Sequence, residues 1–226
     1  MDDSLQIALV LLYAYLLGSV PAAWIVARLV KGIDLRKVGS GTIGASNVYY
    51  NVGRFWILPV GIFDLFVKGL TPVYLARTLG LEIEVQAAAG LLAVIGHNWP
   101  VSLGFKGGRG VAPSVGALLA LGRLELAFFI VITSAGWQFT KASGVWVLLG
   151  FVSLPLVALY FQRPSAVVLL MTGLLLVTVV KRLASNSLRG SDVPLPQLLF
   201  NRLMYDRDIA DHDAWVQRNT PQSEAE

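Results

Sequence analysis

The sequence predicts an all-α polytopic membrane protein of about seven transmembrane helices, several of them short or broken by Gly or Pro. Its N-terminus is expected outside and its C-terminus in the cytoplasm. Three observations carry this. Of 226 residues, 55% are hydrophobic and only 14% charged, with a mean hydropathy of +0.65, whereas soluble domains are about one quarter charged. The apolar residues fall into runs that reach the roughly 17–25 residues a bilayer-crossing helix needs. Lys and Arg gather in alternate loops, which sets the orientation.

The runs follow in order. The first, 5–30, carries "GSVP" in its middle and follows two aspartates rather than a basic segment, so it reads as a retained span, not a cleaved signal. The second covers 55–79 and the third 85–103. The region 111–139 is interrupted by Gly122-Arg123 and reads as two short helices. The sixth and seventh spans, 144–161 and 165–180, flank "QRP". With the N-terminus outside, the inner loops collect Arg28, Lys31, Arg36, Lys37, Arg54, Lys106, Arg109 and Lys141, against Arg77, Arg123 and Arg163 on the outer side. Residues 1–190 are expected to form one membrane domain. Residues 191–226 read as a polar cytoplasmic tail, with a short amphipathic helix near 198–205 on the membrane surface and a disordered end.

Composition also excludes several chemistries. There is no cysteine, hence no disulfide or thiolate nucleophile. Two histidines, His97 and His212, are too few for a metal site built on imidazoles. The small excess of Lys and Arg, 18 against 14 acids, sits in membrane loops and gives no argument for nucleic acid.

The stretch "GSGTIGASNV" at 39–48 is a literal G-x-G-x-x-G on Gly39, Gly41 and Gly44, with Asp64 twenty residues on. A dinucleotide fingerprint needs a strand before the glycines; here a transmembrane helix precedes them. What survives is a glycine-built anion cradle, offering the hydroxyls of Ser40, Thr42 and Ser46, the amide of Asn47 and backbone N–H groups. A tight re-entrant turn explains the same glycines equally well. A second segment, "GHNWPVSLGFKGGRGVAP" at 96–113, brackets Gly107 and Gly108 with Lys106 and Arg109 and adds Gly110. It lacks the Walker spacing. A topological anchor is the plainer reading, but a companion glycine loop on the same side favours anion binding. Asp64 and Lys68 stand at i and i+4 inside a span, and ionised groups at membrane depth need a partner. They read as a mutually neutral pair supporting a site. His97, next to Asn98, could donate to a ligand or close a helix end.

Together, "GSVPAAWIVARLVKGIDLRKVGSGTIGASNV", "DLFVKG" and "GHNWPVSLGFKGGRGVAP" resemble the bacterial acyl-phosphate:glycerol-3-phosphate acyltransferases, the PlsY family, over about the first 115 residues. The resemblance implies a seven-span enzyme of the cell membrane with a cytoplasmic active site. It would transfer a fatty acyl group from acyl phosphate to the 1-hydroxyl of glycerol 3-phosphate, without a cofactor. Position by position it implies catalytic roles for Ser40 and Arg109, the latter where the family has a lysine. It implies substrate or phosphate contacts at Gly39, Gly41, Thr42, Gly44, Asn47, His97, Lys106, Gly107, Gly108 and Gly110, and at Ser143 in "KASG".

The chain departs from the family pattern at three places. Thr42 replaces an Asn, Tyr50 falls where the family has an Arg, and "VVKRLASNSLRGSD" lacks the third-motif His, with Lys181, Arg182 and Asn186 as its nearest counterparts. Arg54 could stand in for the lost arginine. Two functions therefore remain open: an acyltransferase, or a weakened or inactive paralogue that binds an anionic lipid or phosphorylated metabolite. A transporter fits less well, because the polar residues gather in loops, not at the bilayer midplane.

Overall fold

The computed structural model describes residues 2–184, 193–211 and 215, and no strand occurs among them. Four helical stretches are long and apolar enough to cross a membrane: Asp3–Lys31, Arg54–Thr78, Ser143–Tyr160 and Ser165–Leu183. The first is not continuous. Helix α1 (Asp3–Gly18) stops at the "GSVP" break and α2 (Ala22–Lys31) resumes after Pro21, because proline lacks the N–H that would continue the ladder. Ser19 instead turns its hydroxyl back to the Tyr15 carbonyl, 2.8 Å away.

A short helix, α3 (Ala45–Asn51), follows the first glycine loop. The next stretch, α4 (Arg54–Thr78), changes pitch along its length. Between Phe63 and Leu70 it adopts a π-helical register, and Pro72 supplies the reason. Its ring cannot donate to the Lys68 carbonyl and would crowd it in an α-helix, so the backbone widens upstream. Thr71 partly compensates by donating its hydroxyl to the Val67 carbonyl at 2.5 Å.

Helix α5 (Ile83–Asn98) ends earlier than the sequence suggested: the span expected over 85–103 closes at Asn98, and Pro100 starts a separate turn. Helices α6 (Val111–Leu121) and α7 (Arg123–Thr140) meet at Gly122, as the Gly-Arg interruption predicts. Helices α8 (Ser143–Tyr160) and α9 (Ser165–Leu183) complete the bundle. Helix α5 lies at the centre and packs on α1, α4, α6 and α9. Small residues allow the closest approach, as membrane helices require: at the α4–α6 crossing a Cβ on Gly69 would lie 2.9 Å from the Cα of Gly116. The main apolar core runs through Leu118, Phe129, Phe151, Leu154, Leu170 and Leu174.

Helix α10 (Leu195–Tyr205) packs across α8 and α9, with Leu198, Asn201 and Arg202 buried. It begins three residues before the expected amphipathic segment, with Pro196 in its first turn, where a missing N–H costs nothing. Arg202 anchors it by donating to the Leu183 carbonyl at 3.0 Å and to Asp208 at 2.7 Å. Asn186, His212 and the end expected to be disordered lie outside the described residues.

Candidate active site

The first glycine loop joins α2 to α3, and its entry is fixed by a residue the sequence reading passed over. Asp34 is buried. It accepts from the Trp24 indole at 3.1 Å, from the Arg36 backbone N–H at 3.0 Å and from the Arg36 guanidinium at 2.7 Å. Chiefly through the Arg36 side chain, its carboxyl is held well below the usual carboxylate range, against the opposing effect of burial. Asn47 then fixes the loop from inside. Its Nδ2 donates to the carbonyls of Leu35, Val38 and Thr42 at 2.9, 3.1 and 2.9 Å, and its Oδ1 accepts from Asn51 at 2.7 Å. Gly39 passes this knot with φ +54°, where an added Cβ would lie 2.5 Å from Asn47 Oδ1, so only glycine fits. The result places the hydroxyls of Ser40 and Thr42 2.8 Å apart.

The second glycine loop folds back over the end of α5. The N–H groups of Gly107 and Gly108 donate to the carbonyls of Asn98 and His97, each at 3.1 Å. A Cβ on Gly108 would collide with His97 Nε2 and come within 2.8 Å of the Ile43 carbonyl. Gly108 thus fits tightly between the His97 imidazole and the first loop. On the other side of the imidazole Lys68 Nζ lies 3.3 Å from His97 Nδ1 and 2.6 Å from Asp64 Oδ1. A protonated Lys68 donates to Nδ1, and the Asp64 carboxylate lies 3.7 Å from the same nitrogen. The pair expected at i and i+4 therefore belongs to a buried triad with the histidine.

Cations close the remaining wall. Lys181 donates to the Asn98 carbonyl and lies 5.2 Å from the Trp99 ring centroid. Arg182 donates to the carbonyls of Gly144 at 2.8 Å and Leu203 at 2.6 Å. Arg109 reaches the C-terminal segment, with NH1 3.1 Å from the Asp206 carboxylate and NH2 donating to the Asp206 carbonyl at 3.2 Å.

These elements enclose a cavity of about 450 Å³. From the first loop, Ser40, Thr42, Gly44 and Asn47 line it; from elsewhere, Asp64, His97, Arg109, Gly110 and Ser143 do so. Gly39 and Gly41 shape the loop without lining the cavity. Lys68, Gly107 and Gly108 line a void of about 10 Å³ beside it. Lys106 is exposed and reaches neither. Tyr50 lines the large cavity, whereas Arg54, considered as a replacement cation, stacks on Phe55 at 5.1 Å and does not. The site also includes Lys181 and Arg182, which the sequence had only loosely aligned, and Tyr205, Asp206 and Arg207 of the tail. The cue for the tail was "MYDRD": acids directly after an amphipathic helix can serve as counter-ions for cations the membrane bundle leaves in one place. Among the described residues no group of three His, Cys, Asp or Glu could hold a metal ion.

A model of the family described as glycerol-3-phosphate acyltransferase matches residues 8–189. The chain belongs to the glycerol-3-phosphate acyltransferase family. It is 40% identical over 213 residues to glycerol-3-phosphate acyltransferase 4 of Dehalococcoides mccartyi (strain CBDB1), covering 91% of each chain. Two crystal structures of PlsY (YgiH), an integral membrane glycerol 3-phosphate acyltransferase, share this fold. The glycerol 3-phosphate form superposes with a TM-score of 0.73 at 29% identity, covering 78% of this chain and 88% of that one. The lysophosphatidic acid form does so with 0.72 at 25% identity, covering 93% and 98%. The stretch matched to the glycerol-3-phosphate acyltransferase family ends at 189, before α10 and Asp206.

Proposed function

We propose that this protein is a membrane glycerol-3-phosphate acyltransferase of phospholipid synthesis that takes its acyl group from acyl phosphate. The products are lysophosphatidic acid and inorganic phosphate. The observation that carries the reading is the shared cavity onto which both glycine loops open, with the hydroxyls of Ser40 and Thr42 and the cations Arg109, Lys181 and Arg182 around it. Both substrates carry phosphate, and a site with hydroxyls on one side and fixed cations on the other suits two anions brought face to face.

In this reading the 1-hydroxyl oxygen attacks the acyl carbonyl, the bond from that carbon to the phosphate oxygen breaks, and the hydroxyl proton ends on the departing phosphate. Acyl phosphate is already activated, so the protein's task is alignment and stabilisation of the tetrahedral oxyanion. Ser40 and Arg109 take the central roles. Gly44, Asn47 and Gly110 shape the cradle, Thr42 and Ser143 add hydroxyls, and His97 Nε2, oriented by Lys68 and Asp64, supplies a donor. Gly39, Gly41, Gly107 and Gly108 serve by letting the backbone approach closely, and Lys106, exposed outside the cavity, adds positive charge that attracts anions. Seven spans with the N-terminus outside place this mouth at the cytoplasmic face of the cell membrane, where the acyl chain extends sideways between helices.

The test is phosphate release from acyl phosphate and glycerol 3-phosphate by the purified protein in lipid nanodiscs. Release dependent on glycerol 3-phosphate is the expected result, with lysophosphatidic acid formed from acyl phosphate and none formed when acyl-CoA replaces it. Glycerol 3-phosphate binding without release would establish the inactive paralogue instead.

A further inference from the structure

Arg109, Lys181, Arg182 and Arg207 line one cavity, and four like charges repel one another in a site partly shielded from water. Arg109 sits on a glycine-rich loop. It follows two glycines, precedes Gly110 at φ +75°, and its side chain has solvent within reach. Asp206 meets it at two points: the carboxylate on NH1 and the backbone carbonyl on NH2. The same carboxylate lies 4.0 Å from Arg182 Nε. We propose that Asp206 is a positioning residue, which docks the Arg109 guanidinium in the cavity so that it meets the phosphate of glycerol 3-phosphate.

Three features favour docking over a displaceable plug. The segment carrying Asp206 is fastened at buried points: Arg202 is 1% exposed and Asn201 4%, and Asn201 donates to the Asp208 carbonyl at 3.1 Å. Arg182 is tied to the Leu203 carbonyl just before it. One of the two Asp206 atoms that meet Arg109 is backbone, which no incoming anion can replace without moving the helix end. The two-point contact also needs a planar fork, which an ammonium lacks. Arg109 and Asp206 therefore work as a unit, and the tail beyond the family-matched stretch becomes part of the site.

The inference rests on the acyltransferase reading, but a binding measurement keeps the two separable. Asp206→Ala is expected to raise KM for glycerol 3-phosphate about tenfold and to change kcat much less, since ground-state anchoring is lost. It should weaken inorganic phosphate binding, measured by calorimetry on the purified protein, by a similar factor. Asp206→Glu should restore most of both. In an Arg109→Lys background the same alanine substitution should add less than about twofold, because coupled residues are non-additive. Tighter phosphate binding or a lower KM in Asp206→Ala would overturn the proposal and make the carboxylate a competitor of substrate; unchanged values, or a full tenfold loss in the Arg109→Lys background, would overturn it too. If the wild-type protein turns nothing over, the acyltransferase reading fails, while phosphate binding by the variants still decides the role of Asp206.

Discussion

Lys68 Nζ sits 2.6 Å from Asp64 Oδ1, both side chains at least nine-tenths buried, and the same ammonium touches the histidine that faces the cavity. Removing one charge leaves the other stranded at membrane depth. Lys68→Ala or Asp64→Ala alone is expected to cost about 3–5 kcal/mol, read as a large fall in thermal midpoint in detergent. Combining Asp64→Asn with Lys68→Met removes both charges at once and should be much milder. If the single and double variants melted alike, the pair would not be coupled.

Asn47 holds the first loop through three carbonyls, and alanine there strands those groups. Asn47→Ala is expected to lower kcat/KM about tenfold to a hundredfold, the equivalent of about 1–3 kcal/mol for unsatisfied buried acceptors. Asn47→Asp should be no better, since a carboxylate cannot donate to carbonyls. An active Asp variant would show that the side chain meets substrate directly.

Tyr50 lines the cavity and is 53% exposed, at the position where the family resemblance places an arginine. Tyr50→Arg adds a fork for phosphate where there is room. KM for glycerol 3-phosphate should fall about tenfold, at the lower end of what a charged hydrogen bond contributes. No change in KM would mean that Arg109, Lys181 and Arg182 already saturate the phosphate.

Asp34 has a depressed pKa in the folded protein, so it stabilises the fold when ionised. That contribution is complete above the unfolded carboxylate pKa of about 4 and is lost as pH falls through the folded value. Asp34→Asn should therefore lower the thermal midpoint at neutral pH. The gap from wild type should start to close only below about pH 4. A gap that closed between about pH 7 and 5 would point to another group.

The helical layout was legible because it is written locally. Apolar runs bounded by Gly or Pro marked out α4, α6, α7, α8 and α9 nearly to the residue, and "GSVP" foretold the break between α1 and α2. The π-helical register was not legible, since it depends on how α4 accommodates Pro72 against α6. Within the site, glycine spacing identified both loops, as close backbone approach admits few other residues. Spacing could not say that Asn47 serves the loop itself, or that Lys106 faces outward while Arg109 turns in.

The sequence by itself determined the membrane class, the family and the two glycine loops, because hydropathy and backbone permission are properties of short stretches of chain. The tertiary structure alone decided which charges meet. Asp64 and Lys68 meet His97 from another helix, and Arg109 meets Asp206 from ninety-seven residues away. Partners for buried charge are chosen by packing, which brings together groups that no local pattern relates.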